Sequence, residues 1–387
     1  MNIQNLQDWF HKYSNSSLSG RYIHLDHISP ILNELSQSSR VEVSEIGFSE
    51  DKLPIYLLKL GKGTKKLLFW SQMHGNESTT TKAVVDFLHL LIDPSNDIAN
   101  TILENCTLYI IPILSPDGAK TYTRLNHNKV DLNRDAQDRT QKESNVLDKL
   151  IKDIQPDVAF NLHGQRTIFA VGATKYPATV SFLSPAGDHE RTITADRKIA
   201  MEIISKMNDT VQQFIPNQVG RYDDSFNINC VGDTLANRGI PTILFEAGHY
   251  PDDWDRDKTR SFIFYALLVS SHFIATNVIT GQHYKDYFLI PENEKLFYDI
   301  IIRNVILDGK NVDIAIQYEE KLIDNHINFL PKVAKIGALQ NYIGHKEILG
   351  QKRVIQNENV TVEIVPSVKL LKFHLDSELF LIESIKS

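Results

Sequence analysis

Between Ile55 and about His272, short apolar runs alternate with longer segments in which apolar residues recur every three or four positions. These are the two periods of buried strand and amphipathic helix. IYLLKL and KKLLFW read as strands, and TTTKAVVDFLHLL reads as a helix because Ala83, Val84, Phe87, Leu88 and Leu91 fall on one side of it. CTLYIIPILSPDG predicts a buried strand that ends at a Pro116-Asp117-Gly118 turn. NVLDKLIKDI (helix), DVAFNLH (strand), a helix around Arg191 to Phe214, PTILFEAGHY (strand) and a helix from about Asp257 to His272 continue the series. The alternation predicts an α/β sandwich, whose chemistry is expected beyond the carboxyl ends of the strands.

Past about Leu289 the pattern shortens. FYDIII, NVILDG, VDIAIQY, TVEIVPSV, LLKFHL and LFLIE are separated by Asp, Gly, Asn and Pro, which predicts a small β-rich domain. A chain of 387 residues exceeds what one core usually supports. The expected division is a catalytic domain over residues 1–280, including an N-terminal helical segment, and an accessory domain over 289–387. No solenoid period, coiled coil or low-complexity tract interrupts this.

Charge narrows the range of partners. Lys and Arg number 41 against 48 Asp and Glu, a formal charge of -7, which gives no general attraction to nucleic acid or to an anionic membrane. Cys106 and Cys230 are too few for a disulfide framework or a Cys-rich zinc site. The N-terminal stretch lacks the basic and apolar succession of a secretory leader, and no apolar run approaches the roughly 20 residues of a membrane span. A cytoplasmic protein is the expectation.

Candidate chemistry collects at strand ends. His74 and Glu77 in HGNE follow the LLFW strand, and His163 follows AFNL. Two imidazoles and a carboxylate at neighbouring strand ends suit Zn²⁺ and leave a coordination position for water or a substrate oxygen. A helix cap or salt bridge at His74 and Glu77, with a core or hinge histidine at His163, is the other reading of the same residues. Glu246, after ILF, is costly to bury unless it is paired with Arg134 or Arg256, or serves a pocket in which it moves a proton. In SPDGAKTYTRLNHNKVDLNRD, Arg124 suits a developing oxyanion, and Asn133 with Arg134 suits a terminal carboxylate. A turn network of Asp131, Arg134 and Asp135 is the alternative there. For the acidic DDWDRD at 252–257, the choice lies between solvated structure and recognition of a basic substrate.

Taken in order, HGNE at 74–77, SPDG at 115–118, Arg124, NRD at 133–135, LHG at 162–164 and FEAG at 245–248 resemble the zinc metallocarboxypeptidase family that includes carboxypeptidases A and B. The resemblance covers roughly residues 30–275. It implies a three-layer α/β sandwich around a mixed, mostly parallel twisted sheet, and one Zn²⁺ held by His74, Glu77 and His163. It further implies Glu246 as the catalytic glutamate, Arg124 as the arginine that polarises the scissile carbonyl, and Asn133 with Arg134 as the terminal-carboxylate clamp. The family's mobile substrate-binding tyrosine is placed at Tyr222, with Tyr250 as the other candidate. SPDG departs from the more familiar NPDG. The implied activity is hydrolysis of a C-terminal peptide or peptide-like amide in a substrate with a free terminal carboxylate. The alternatives are a deacylase resembling aspartoacylase or succinylglutamate desuccinylase, and a noncatalytic carboxylate-ligand binding protein.

Overall fold

A computed structural model describes residues 2–382 and 385–387; the last residue of the expected LFLIE strand, Glu383, lies outside them. The chain divides into two compact units, one of Met1–Gln165 with Ala178–Asn293 and one of Arg166–Pro177 with Glu294–Ser387. The boundary falls at Asn293, and residues 166–177 belong to the second unit although the sequence assigns them to the first. Thr167 in that segment accepts a hydrogen bond from Gln317 Nε2 at Oγ1 (2.8 Å), and its carbonyl is 2.8 Å from His345 Nε2, so residues remote in sequence hold it.

The first unit begins with helices α1 (Ile3–Tyr13) and α2 (Leu25–Leu35), then β1 (Val41–Phe48), β2 (Pro54–Gly61), β3 (Lys65–Ser71), α3 (Thr79–Ile92), α4 (Asp97–Asn105), β4 (Cys106–Ile111), α5 (Pro116–Thr121) and α6 (Lys142–Ile154). It continues through β5 (Val158–Gly164), and after the short β6 (Phe169–Val171) of the second unit come β7 (Val180–Leu183), α7 (Ala195–Val211), β8 (Val219–Arg221), α8 (Val231–Asn237), β9 (Thr242–Ala247) and α9 (Asp257–Thr276). The sheet order is β1-β2-β4-β3-β5-β9-β7-β8. Its middle, β4-β3-β5-β9, is parallel, and β1, β2 and the β7–β9 pair are antiparallel. This is the expected mixed, mostly parallel sheet between helical layers.

β3 shows how the sequence builds both layers at once. Side chains alternate across a strand. Phe69 joins Phe87 of α3, Ile203 of α7 and Leu267 of α9 in one core cluster, and Leu68 and Trp70 join Leu147 and Ile151 of α6 and Val231 and Leu235 of α8 in the other. The SPDG segment is not a simple turn: Pro116 opens α5 at a position where its missing N–H costs nothing.

Within the acidic segment 252–257, Asp252 is exposed, whereas Asp253 and Asp257 have structural partners. Asp253 is buried and accepts the backbone N–H groups of Asp257 (2.9 Å), Lys258 (3.2 Å) and Thr259 (2.9 Å), so it caps α9 from outside its first turn. Asp257 accepts from the fully buried Lys82 Nζ at 2.6 Å, and Lys82 also donates to the carbonyls of Gly20 and Asp255. Burial first, opposed by Asp257, brings the Lys82 pKa down to about 8. One turn along, Arg260 holds Asp86 through Nε (2.6 Å) and Nη2 (2.5 Å) and reaches the carbonyls of Leu18 and Asn15. These groups tie the N-terminal segment to α3 and α9. Asp253→Ala is expected to cost about 1–2 kcal/mol of stability, in the range for losing a helix cap. A urea midpoint equal to that of the parent would reject the capping role.

The second unit contains β6 paired with β10 (Asn293–Lys295), a five-stranded sheet and a three-stranded sheet. The larger sheet uses β11 (Phe297–Leu307), β12 (Lys310–Ile323), β13 (His326–Gly337), β14 (Ile343–Leu349) and, after the smaller sheet, β18 (Ile385–Lys386). The smaller comprises β15 (Ile355–Asn357), β16 (Lys372–Leu375) and β17 (Glu378–Leu381). The unit is β-rich as expected, with two local differences. FYDIII and NVILDG are one strand, β11, because a bulge at 302–305 with Asn304 at φ 56° bends it without ending it. TVEIVPSV lies outside the strands: Thr361, Val362, Glu363 and Val365 are exposed, and Ile364 alone of its first five residues joins the unit's core.

Candidate metal centre

The site grows from the carboxyl ends of three adjacent parallel strands. β3 leaves the sheet through Gln72, whose backbone is left-handed at φ 46°. The Gln72 side chain fixes that exit: Nε2 donates to the carbonyls of Gly75 and Ile23 at 2.8 Å each, and Oε1 accepts from Thr81 Oγ1 at 2.7 Å. Gly75 is required by close approach. A Cβ there would stand 1.8 Å from the carbonyl carbon of Gly118, so the HGNE and SPDG segments touch through their backbones.

His74 and Glu77, delivered by this loop, meet His163 from the end of β5. The three offer ligand atoms within 4.8 Å of one another. The Nδ1 atoms of His74 and His163 are 3.2 Å apart, and the Glu77 oxygens Oε1 and Oε2 lie 2.9 Å from His74 Nδ1 and His163 Nδ1 respectively. Nitrogen and oxygen donors about 2.0–2.1 Å from one Zn²⁺ in tetrahedral array would be spaced about 3.3 Å apart. The donor set and its convergence therefore fit a single divalent ion. Gly164 N–H donates to Glu77 Oε2 at 3.0 Å, which fixes the carboxylate from β5 as well.

Asp131 organises the other side, a role that sequence reasoning missed. Its Oδ1 is 3.0 Å from His74 Nε2 and accepts Asn133 N–H at 2.9 Å, and its Oδ2 accepts Arg124 Nε at 3.0 Å. One carboxylate thus orients the imidazole, turning Nδ1 inward, and holds Arg124 beside it. Arg124 Nη1 lies 3.3 Å from His74 Nδ1 and 3.5 Å from Glu77 Oε1. The only clue in the sequence was an acid two residues before Asn133.

Of the turn network expected for Asp131, Arg134 and Asp135, a backbone bond forms, Arg134 N–H to the Asp131 carbonyl at 2.8 Å, while the side chains turn to other partners. Asp135 instead accepts from Thr140 and Gln141 N–H, and Arg134 Nη1 donates to the Asn133 carbonyl (2.7 Å) and Cys230 Sγ (3.1 Å). Asn133 spends Oδ1 on Val231 N–H at 2.9 Å, leaving its Nδ2 end to donate. Asn133 and Arg134 therefore present donors together at the N-terminal turn of α8.

Glu246 on β9 is the register partner of His163 on β5, so the two side chains leave the same face side by side. Glu246 is buried, and its Oε2 has no hydrogen-bond partner. Burial, then the charge of Glu77, raise its pKa well above the ordinary carboxyl value, and Arg124 and Arg256 oppose them. Arg256 is directed elsewhere, to the carbonyls of Ala247 (2.6 Å) and Gln165 (2.7 Å). For His74, burial is outweighed by Glu77 and Asp131 and the pKa rises; for His163, burial prevails and it falls. Glu77 stays ionised because the two imidazoles outweigh its burial.

Tyr222 follows β8. Its hydroxyl pKa is pushed up by burial and by the charges of Glu246 and Glu77. Tyr250, the other candidate, sets its ring 5.8 Å from that of Phe262 at the edge of the larger core.

Residues 31–157 match the family model described as zinc carboxypeptidase. The curated protein carboxypeptidase SOL1 of Arabidopsis thaliana is 26% identical over 137 residues, 31% of this chain and 28% of that protein, so the match spans little more than a quarter of the relative. Among solved structures, a metallo-carboxypeptidase from Burkholderia cenocepacia aligns with a TM-score of 0.52 at 19% identity, covering 63% of this chain and 68% of that one. Carboxypeptidase A from Helicoverpa armigera gives a TM-score of 0.53 at 16% identity, over 71% and 81% of the two chains. The structural likenesses carry the fold. With the family match, they bear out the resemblance to zinc metallocarboxypeptidases. No helix among the described residues is long and apolar enough to cross a membrane.

Proposed function

We propose, from this chain's kinship with the zinc metallocarboxypeptidases, that it hydrolyses the C-terminal amide bond of a peptide or peptide-like substrate with a free terminal carboxylate. The observation that carries the reading is the pairing of Glu246 with His163 across β5 and β9, which sets a proton-transfer carboxyl beside the ligand cluster. His74, Glu77 and His163 are the residues that would hold the metal. A zinc ion bound there supplies Lewis acidity to the scissile carbonyl and to the attacking water.

Each remaining step falls to a side chain. Arg134, with Asn133 Nδ2, binds the terminal carboxylate; a planar guanidinium suits that partner better than a point charge does. Arg124, held by Asp131, donates to the oxygen that becomes negative when the carbonyl is attacked. Glu246 takes the proton from the attacking water and returns it to the leaving nitrogen. Tyr222 closes over the substrate beside Glu246. Support for a hydrolase over a noncatalytic binder comes from Glu246 itself, since recognition of a carboxylate needs no buried acid of raised pKa next to a ligand cluster.

The test is a matched set of peptides with free and amidated C-termini, run beside N-acyl amino acids, with products identified by mass. Release of the terminal residue from free-ended peptides alone is the expected result. Cleavage confined to N-acyl amino acids would transfer the site to deacylation. Arg134→Ala is expected to raise KM for free-ended peptides about 10- to 100-fold, as for loss of a charge-assisted hydrogen bond of roughly 1.5–3 kcal/mol, with metal content unchanged. An unchanged KM would remove Arg134 from the clamp.

A further inference from the structure

Asn161 carries an amide into the face of the sheet that bears the site, and neither of its ends is engaged. It is fully buried, with both Nδ2 and Oδ1 lacking a hydrogen-bond partner. Lying two residues before His163 on β5, it faces the same way, about 6–7 Å deeper along the strand. The register flanks it with Trp70 of β3 and Leu244 of β9, and Trp70 Nε1 is also buried and unpartnered. Over it lies the first turn of α8, where a Cβ built on Gly232 would stand 3.9 Å from Asn161 Nδ2 and 3.0 Å from Pro185 Cγ.

That turn of α8 also adjoins the carboxylate clamp, through Val231 N–H on Asn133 and Cys230 Sγ on Arg134. We propose that a terminal residue held there by its carboxylate, with its scissile bond at the ligand cluster, turns its side chain toward Gly232 and Asn161, and that Asn161 determines specificity by reading a carboxamide on it, so that the preferred terminal residue is glutamine or asparagine. The proposal rests on the carboxypeptidase reading above.

The chemistry of the surroundings selects this class. A carboxamide offers one donor and one acceptor function in a plane, the complement of what Asn161 presents, and the Trp70 indole adds a second donor on the adjoining strand. An aliphatic side chain leaves both ends of Asn161 unpaired. A charged one meets Trp70 and Leu244, neither of which offers a counter-charge. An amide buried without partners weakens the free protein, and its retention beside a reaction centre is explained by a use for it.

The test takes the metal-loaded full-length protein and peptides that differ only in a terminal Gln, Asn, Leu, Phe, Lys or Glu, with kcat/KM measured for each. The expected result is a preference for Gln over Leu of at least about 10-fold. Asn161→Leu should abolish that preference and favour the Leu-ended peptide, while its thermal midpoint equals or exceeds that of the parent because an unpaired amide has gone. Asn161→Ser, smaller and still polar, repeats the comparison and should also lose the preference.

Equal turnover of Gln- and Leu-ended peptides, or a preference for a charged end, overturns the inference and leaves the carboxypeptidase reading standing. A lowered midpoint for Asn161→Leu, or failure of that variant to fold, combined with an undiminished carboxamide preference in Asn161→Ser, overturns it in favour of a purely structural amide. Failure of the parent to cleave any peptide of the series defeats the carboxypeptidase reading, and the inference with it.

Discussion

Glu246→Gln is expected to slow release of the terminal residue by about 10²–10⁴-fold, the usual contribution of a positioned general acid and base, while the metal content stays that of the parent. The reason is positional. Glu246 is not among the clustered donors His74, Glu77 and His163, yet it lies across one inter-strand pairing from His163. Glutamine has the same shape and keeps a carbonyl acceptor, but it cannot take up a proton. The folded state should not suffer, because burial and Glu77 already penalise a charge at this position. Metal analysis together with single-turnover hydrolysis separates the outcomes. Turnover within a few-fold of the parent would remove Glu246 from the proton path, and loss of metal would make it part of the binding site.

Asp299→Asn is expected to stabilise the second unit at pH 8 and to leave it nearly unchanged at pH 4. Asp299 on β11 is buried, and burial pushes its pKa from 3.8 up to about 7, against the hydrogen bonds it receives. Tyr318 N–H and Gln317 Nε2 both donate to its Oδ2, while its Oδ1 and Gln317 Oε1 have no partners. Because the folded pKa lies above the unfolded one, stability is full below about pH 4 and declines as pH rises toward 7. A rise from 3.8 to about 7 corresponds to a loss of about 4 kcal/mol once the folded group has ionised.

Asparagine keeps an acceptor for Tyr318 and Gln317, brings a donor for the unpaired oxygens, and does not ionise. Amide exchange of β11 and β12, corrected for the intrinsic pH effect, should show protection that falls between pH 4 and 7 in the parent and stays level in the variant. Parallel pH profiles for the two proteins would show that Asp299 does not hold its proton as the environment implies.

Much of the first unit is legible in the sequence. α3 announced itself through Ala83, Val84, Phe87, Leu88 and Leu91, all buried, because a helix and its apolar stripe are local properties of the chain. The runs at β3, β5 and β9 read as buried strands for the same reason, since both of their faces are covered. Local pattern misled where a neighbour was needed to give it meaning. TVEIVPSV alternates like a strand but meets β13 only at its end, through Ser367 and Val368 on Val333, and NVILDG reads apart from FYDIII because a bulge resembles a turn in one dimension.

The candidate site divides along the same line. His74 and Glu77 are three residues apart and leave one strand, so their spacing already suggested a shared ligand role. By itself the chain determined the donor types, the helices and strands that carry them, and the order of motifs that marks the resemblance. Only the tertiary structure decided that Glu246 stands beside His163, that Asp131 serves His74 and Arg124 together, that residues 166–177 belong to the second unit, and that Asn161 is buried without a partner. Periodicity is set by the backbone within a segment, whereas register, burial and hydrogen-bond partners are set by segments far apart in sequence, whose pairing appears only when the sheet is assembled.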